Sequence, residues 1–233
     1  MAVIGIVAAL GRELSQYRML IQGEKQESII NGYRFLEFSY GNHRIVLASA
    51  SVGKINAAIC TQILCSQFNP DYVINSGSAG SLSKGVETGD VVVATESACH
   101  DVEESIRLGC FPGVSGFLPS PLLLEVAKAV ALQYGKGRTE EGNIHFGCIL
   151  TGDAFIACPL AKTELGESKQ ALAVEMEGAA VAHAAYVNQV PFLAVRGVSD
   201  ALVNNAREEY QANERLAADR AAALVISMLE MLT

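Results

Sequence analysis

Residues 172–200, LAVEMEGAAVAHAAYVNQVPFLAVRGVSD, concentrate side chains able to do acid–base chemistry. A short apolar run (172–174) ends in Glu175-Met176-Glu177. A helix of small residues follows, from Gly178 to about Val187, and a second apolar run (191–196) leads into Ser199-Asp200. This strand–helix–strand pattern predicts two neighbouring parallel strands, both carrying carboxylates at their C-terminal edges, where open α/β sheets bind ligands. Carboxyl groups held in different surroundings can act one as acid and one as base. A plainer reading has Glu177 capping the helix and Asp200 beginning a loop. Glu13, at another strand–helix junction, adds a third carboxylate, or is a first-turn Glu favoured by the helix dipole.

The elements that must position these groups alternate along the chain. Residues 3–10 form a continuous apolar run, hence a buried parallel strand. Leu14, Tyr17, Leu20 and Ile21 follow at helical spacing, without a GxGxxG or GxxxxGK[ST] loop. Residues 28–30, 33–40 and 44–50 are expected strands, joined by turns at Asn31-Gly32 and Gly41-Asn42. A helix over 55–68 ends at Asn69-Pro70. A strand at 71–75 runs into Ser76-Gly77-Ser78-Ala79-Gly80-Ser81, small residues that either let a ligand approach the backbone or make an ordinary turn. A strand at 89–95 precedes an irregular stretch, 96–121. A helix is expected over 122–134, then a strand at 145–151 ending in Gly152-Asp153-Ala154-Phe155-Ile156. Phe155 there either stacks on a planar ligand or belongs to the core. A short helix at 161–167 and a long amphipathic one at 207–232 complete the pattern. The expectation is a single three-layer α/β domain spanning 1–233, with a mixed, mostly parallel central sheet wrapped by helices.

Composition narrows the function. Half of the 233 residues are apolar and 18% are charged, enough apolar material for a large core. A net charge of −8 argues against a nucleic-acid partner, because phosphate binding needs a basic face. The six cysteines show no CxxC and read as ordinary thiols, and the four histidines form no metal-like cluster. No basic leader precedes the first apolar run and no apolar stretch reaches the roughly 20 residues of a membrane span, so a cytoplasmic protein is expected.

The motifs VIGIVAALGREL (3–14), SVGKINAA (51–58), INSGSAGSL (74–82), GDVVVA (89–94), TGDAFI (151–156), AVEMEGAAVAH (173–183) and PFLAVRGVSD (191–200) occur in this order. With them the chain resembles the purine nucleoside phosphorylase-like superfamily, and within it the 5′-methylthioadenosine/S-adenosylhomocysteine nucleosidases. The resemblance implies a partly barrel-like sheet and hydrolysis of the N-glycosidic bond of 5′-substituted adenosines. It makes Glu13 the base for water and Asp200 the acid at purine N7. Glu177 would hold the ribose hydroxyls, Met176 would pack on the sugar, and Glu175 joins them in the substrate-binding set. Ser78 and Gly80 would line the site, Phe155 would stack on adenine, and the Ile156 backbone would bond its edge. Val52 would line the sugar and 5′ pocket, and Ser199 would position Asp200. No metal or organic cofactor is implied. The implied partners are a nucleoside and a second copy of the chain, whose neighbouring subunit covers the 5′ group; methionine salvage is one route such a reaction serves.

Water and phosphate are the two nucleophiles to be distinguished. Phosphorylases surround phosphate with arginines, whose planar fork suits that anion. In our alignment one such arginine corresponds to Asn75, and Glu13 would repel phosphate. Arg12, where the nucleosidases more often carry Glu, has no obvious partner and is expected in solvent. The family's run after His100-Asp101 differs here, and Tyr210 is the nearest candidate for an aromatic over the substrate. A phosphate-dependent phosphorylase, a nucleosidase for another 5′ group such as that of aminodeoxyfutalosine, and a non-catalytic nucleoside sensor are the alternatives.

Overall fold

The computed structural model describes residues 1–133 and 142–232. Strand β1 (Ala2–Ala8) is followed by a short helix α1 (Ser15–Arg18), then by three strands, β2 (Lys25–Ile30), β3 (Tyr33–Tyr40) and β4 (His43–Ser49). Asn31 and Gly32 both take positive φ, 50° and 88°. That is the two-residue hairpin loop matching the twist of antiparallel strands, and Ile30 pairs with Tyr33 across it. Helix α2 (Lys54–Phe68) leads to β5 (Tyr72–Ser81) and β6 (Val91–Cys99), then to α3 (Glu104–Gly109) and α4 (Pro121–Gln133). After β7 (Ile144–Thr151) come α5 (Pro159–Lys169), β8 (Ala171–Glu175), α6 (Gly178–Val187), β9 (Phe192–Asp200) and α7 (Ala206–Met231). Tyr134, expected to end the fourth helix, lies outside the described residues.

The sheet runs β2-β3-β4-β1-β5-β8-β7-β6-β9, and β9 also pairs with β5, so this half curls round on itself. Five pairings are parallel and four antiparallel, which makes the sheet mixed with a slight parallel excess. The side-chain period of two divides β1 between two cores. Val7 packs in a layer with Ala57, Leu64 and Phe68 of α2 and with Val181 and Ala185 of α6. Ile4, Ile6 and Ala8 pack on the opposite layer, with Leu123 and Ala127 of α4 and Val225 and Met228 of α7. Helices therefore cover both faces, the three-layer arrangement expected. All six cysteines are free. Among the described residues no helix is long and apolar enough to cross a membrane.

Four expectations change. β8 and β9 are not neighbours: β9 lies between β5 and β6, while β8 joins β7 and the far end of β5. Adjacency in sequence does not set adjacency in a curled sheet. The small residues 76–81 are not a loop but the second half of β5, paired with β9 as far as Gly80. The stretch 96–121 is less irregular than expected, because β6 continues to Cys99, Ser97 bridges to Phe117, and α3 lies between. The helix expected over residues 14–21 shrinks to Ser15–Arg18, its flanks closed by i→i+3 bonds such as Met19 N–H to the Gln16 carbonyl.

Candidate active site

The strand ends and three loops converge on one cavity of about 90 Å³. Glu13, Val52, Ser78, Gly80, Phe155, Glu175, Met176, Glu177, Ser199 and Asp200 all line it, with Arg196 and Tyr210. Ile156 is the one expected site residue whose side chain does not; it packs on the satellite core around Leu82 and Leu150. No group of three or more His, Cys, Asp and Glu among the described residues could hold a metal ion.

Glu13 sits in the turn after β1, almost wholly buried. Its Oε2 accepts from the Leu10 N–H (2.9 Å), and its Oε1 from the Ser78 N–H (3.0 Å) and the Ser78 hydroxyl (3.3 Å). The small residues of β5 make this approach possible. A Cβ on Gly77 would stand 2.8 Å from Glu13 Oε1 and 2.6 Å from Arg196 Nη1.

Glu177 occupies the N-cap position of α6, but its side chain does not cap that helix. Its Oε1 accepts instead from the Gly53 N–H, 2.9 Å away on the loop that carries Val52. Glu175 does the capping: its oxygens accept from the N–H groups of Glu177 (2.9 Å) and Gly178 (2.8 and 2.9 Å), and from the Thr151 hydroxyl. It thus borders the cavity with its carboxylate bonded to the N–H groups that open α6, to Thr151 and to Arg196. Burial, the largest influence, pushes the Glu177 carboxyl up to about 7; Glu175 and Glu13 add to the rise, while Arg196 and the Gly53 N–H oppose it.

Sequence reasoning gave Arg196 no role. Its signal was an arginine inside an otherwise apolar strand. Fully buried, it donates to Glu175, to Asn75 Oδ1 (2.5 Å) and to the Ser78 carbonyl (3.2 Å), and lies 3.5 Å from Glu177 Oε2. Lys162 of α5 was also missed. It is buried, with its Nζ 2.5 Å from Asp200 Oδ2, and the Ser199 hydroxyl lies 2.7 Å from Oδ1. Nothing in the sequence near Lys162 marks it, since its partner comes from another element.

Phe155 meets Tyr210 edge-on at 5.5 Å between ring centres, and the Arg207 guanidinium stands 5.0 Å from the Phe155 ring. Arg12 is solvent-exposed as expected but not alone. It makes a two-toothed pair with Glu214 of α7, one arm 2.7 Å long. The Arg12 guanidinium is therefore directed at a carboxylate of its own chain.

Two outcomes follow for stability. Arg196→Met removes the counter-charge of buried carboxylates and is expected to cost about 3–5 kcal/mol, read from the urea midpoint. For Glu177, the fold retains a proton that the unfolded chain loses near 4.5. The folded state therefore binds more protons between about 4.5 and about 7, and stability falls as pH rises through that window. Glu177→Gln lacks this loss, so its stability relative to wild type should climb across the window and level off above it, as measured by denaturation at stepped pH.

The family model described as the phosphorylase superfamily matches residues 3–230. A 5′-methylthioadenosine/S-adenosylhomocysteine nucleosidase of an Exiguobacterium species is 34% identical over 234 aligned residues, covering 98% of each chain. The nucleosidase of that name from Neisseria meningitidis, solved with methylthio-immucillin-A, superposes with a TM-score of 0.91 at 30% identity, over 100% of both chains. Futalosine hydrolase of Helicobacter pylori superposes with a TM-score of 0.90 at 30% identity, over 99% of this chain and 98% of that one. With matches that run the length of the sequence, the chain belongs to the phosphorylase superfamily and, within it, to the 5′-methylthioadenosine/S-adenosylhomocysteine nucleosidase family.

Proposed function

We propose that the chain, acting as one catalytic domain, hydrolyses the N-glycosidic bond of 5′-substituted adenosines such as 5′-methylthioadenosine and S-adenosylhomocysteine. The observation that carries this is the convergence of Glu13, Glu177 and Asp200 on one cavity beside an aromatic ring, Phe155. Adenine leaves readily only when N7 gains a proton, and water attacks readily only when a base takes one. Asp200 gives its proton to N7 as the C1′–N9 electron pair moves onto the purine. Glu13 takes a proton from water as its oxygen bonds to C1′, the two-carboxyl logic of inverting glycoside hydrolysis. Glu177 holds the ribose hydroxyls, where its charge favours the cation developing on the sugar. Val52 and Met176 shape the sugar pocket, Ser78 fixes Glu13, and Ser199 fixes Asp200.

The arginines support water over phosphate. The terminal nitrogens of Arg196 already face Glu175, Asn75 and Ser78, and Arg12 faces Glu214. Neither offers the open fork that phosphate takes. A nucleosidase for a larger 5′ group, such as that of aminodeoxyfutalosine, is the second reading, favoured by the likeness to futalosine hydrolase.

The assembly we propose is a homodimer. Outside the cavity lies an apolar groove of about 530 Å³, lined by Ile55 and Ile59 of α2, Phe117, and Ala180, His183 and Val187 of α6. Val52, 43% exposed, lines the nucleoside cavity and stands three residues before Ile55 of the groove, so the two sites are close along the chain. A second copy seated there would complete the 5′ pocket.

Wild type should release adenine from 5′-methylthioadenosine equally with and without phosphate, and Glu13→Gln and Asp200→Asn should each lower kcat/KM by about 10²–10⁴-fold. Ribose 1-phosphate as product would refute hydrolysis, and a panel of 5′-substituted adenosines that includes aminodeoxyfutalosine ranks the two substrate classes. Sedimentation should give a dimer for wild type and a monomer for Ile55→Glu; a monomeric, fully active wild type would overturn the assembly.

A further inference from the structure

We propose that Lys162 is the positioning residue of the acid: it fixes the carboxyl of Asp200 and dictates which of its oxygens carries the transferable proton. The inference rests on the hydrolytic reading above and adds a residue to it. Lysine is almost never fully buried without a partner. Lys162 has no exposed surface, and its Nζ faces three acceptors: Asp200 Oδ2 at 2.5 Å, the Ala201 carbonyl at 2.9 Å and the Asp200 carbonyl at 3.4 Å. An ammonium has three N–H donors, so this set satisfies it completely. β5 leaves room for it: a Cβ on Gly80 would lie 3.1 Å from Nζ and 2.9 Å from Asp200 Oδ2.

The consequence for Asp200 is geometric. An ammonium N–H aimed at Oδ2 occupies one lone pair of that oxygen and makes it the poorer place for a second hydrogen. A proton on Asp200 therefore resides on Oδ1. The neighbouring Ser199 hydroxyl lies 2.7 Å from Oδ1 and 3.1 Å from the Ala79 carbonyl, so its one hydrogen can turn to Ala79 and leave Oδ1 free to act as donor. When that proton passes to N7, the C1′–N9 pair moves onto the purine and a carboxylate remains. Its counter-ion is already in place, in a spot closed to water, where a preoriented charge stabilises most.

The test compares two leaving groups. 5′-Methylthioadenosine needs its base protonated; a p-nitrophenyl 5-methylthioribofuranoside releases a stable anion and does not. Lys162→Met should lose at least about 10²-fold in kcat/KM on the adenosine, the size of one acid term, and stay near wild type on the nitrophenyl riboside. In an Asp200→Asn background the same change should cost nothing further. Equal losses on both substrates, or a full additional loss in the Asp200→Asn background, would overturn the proposal in favour of a purely structural lysine. Should Lys162→Met not fold, Lys162→Gln, which keeps a donor for the two carbonyls but carries no charge, is judged by the same ratios. Wild type inactive on 5′-methylthioadenosine would refute the hydrolytic reading and this inference with it; active wild type with an unchanged leaving-group ratio would refute this inference alone.

Discussion

Carboxylates crowd the ligand-facing end of this sheet, and Arg196 is the cation between three of them. It bonds Glu175, lies 3.5 Å from Glu177, and interacts electrostatically with Glu13, all out of water. Like charges this close in a low-dielectric interior would repel one another, each favouring the protonated form of the next. A guanidinium resolves the conflict because its planar fork serves several acceptors at once and keeps its charge when buried. It also sets the hierarchy among the acids. Glu175 receives the strongest contacts and becomes a structural anion capping α6. Glu177, further from Arg196, is left to titrate close to neutrality.

That arrangement requires backbone to come very near side chains, which explains the many small residues at the strand ends. Gly77 and Gly80 on β5 lie where any Cβ would enter the space of Arg196 and Glu13, or of Asp200 and Lys162. Gly197, beside Arg196 on β9, has the Ala217 carbonyl of α7 only 1.9 Å from where its Cβ would stand. The charged cluster and the packing of α7 on the sheet thus depend on the same run of strand residues.

Most of the architecture was legible because it is written in local pattern: apolar runs for strands, Asn-Gly for the hairpin, Asn-Pro after α2. The convergence of Glu13, Glu177 and Asp200 was legible only through motifs, since no spacing rule brings residue 13 beside residue 200. What stayed hidden depends on partners distant in the chain. Glu214 answers Arg12 across 202 positions. Lys162 reaches Asp200 from a short helix whose sequence looks like any solvent-facing one. The order of β8 and β9 was misjudged for the same reason, because curling of the sheet is a property of the whole set of strands. The plainer reading of Glu177 as the helix cap fails because helix-start preference identifies a capping carboxylate without saying which of two will reach back, and Glu175 is the one that does.

Helix α7 meets the rest of the molecule in two different ways. Its middle is pinned where Ala217 presses on Gly197, whereas its first turns reach the site through Arg207 and Tyr210 against Phe155, Glu209 at the Ala201 N–H and Glu214 against Arg12. A cavity of about 90 Å³ falls short of the roughly 300–1,000 Å³ that ligand pockets usually offer, so the site stands nearly filled by its own rings and acids. Each contact is modest taken singly: an aromatic edge contact contributes about 0.5–1.5 kcal/mol and an ion pair with one exposed partner, such as Arg12–Glu214, on the order of 1 kcal/mol. The two ends of the attachment thus differ in kind: backbone packed directly on the sheet at the helix's middle, and several small side-chain contacts closing over the rings and acids at its start.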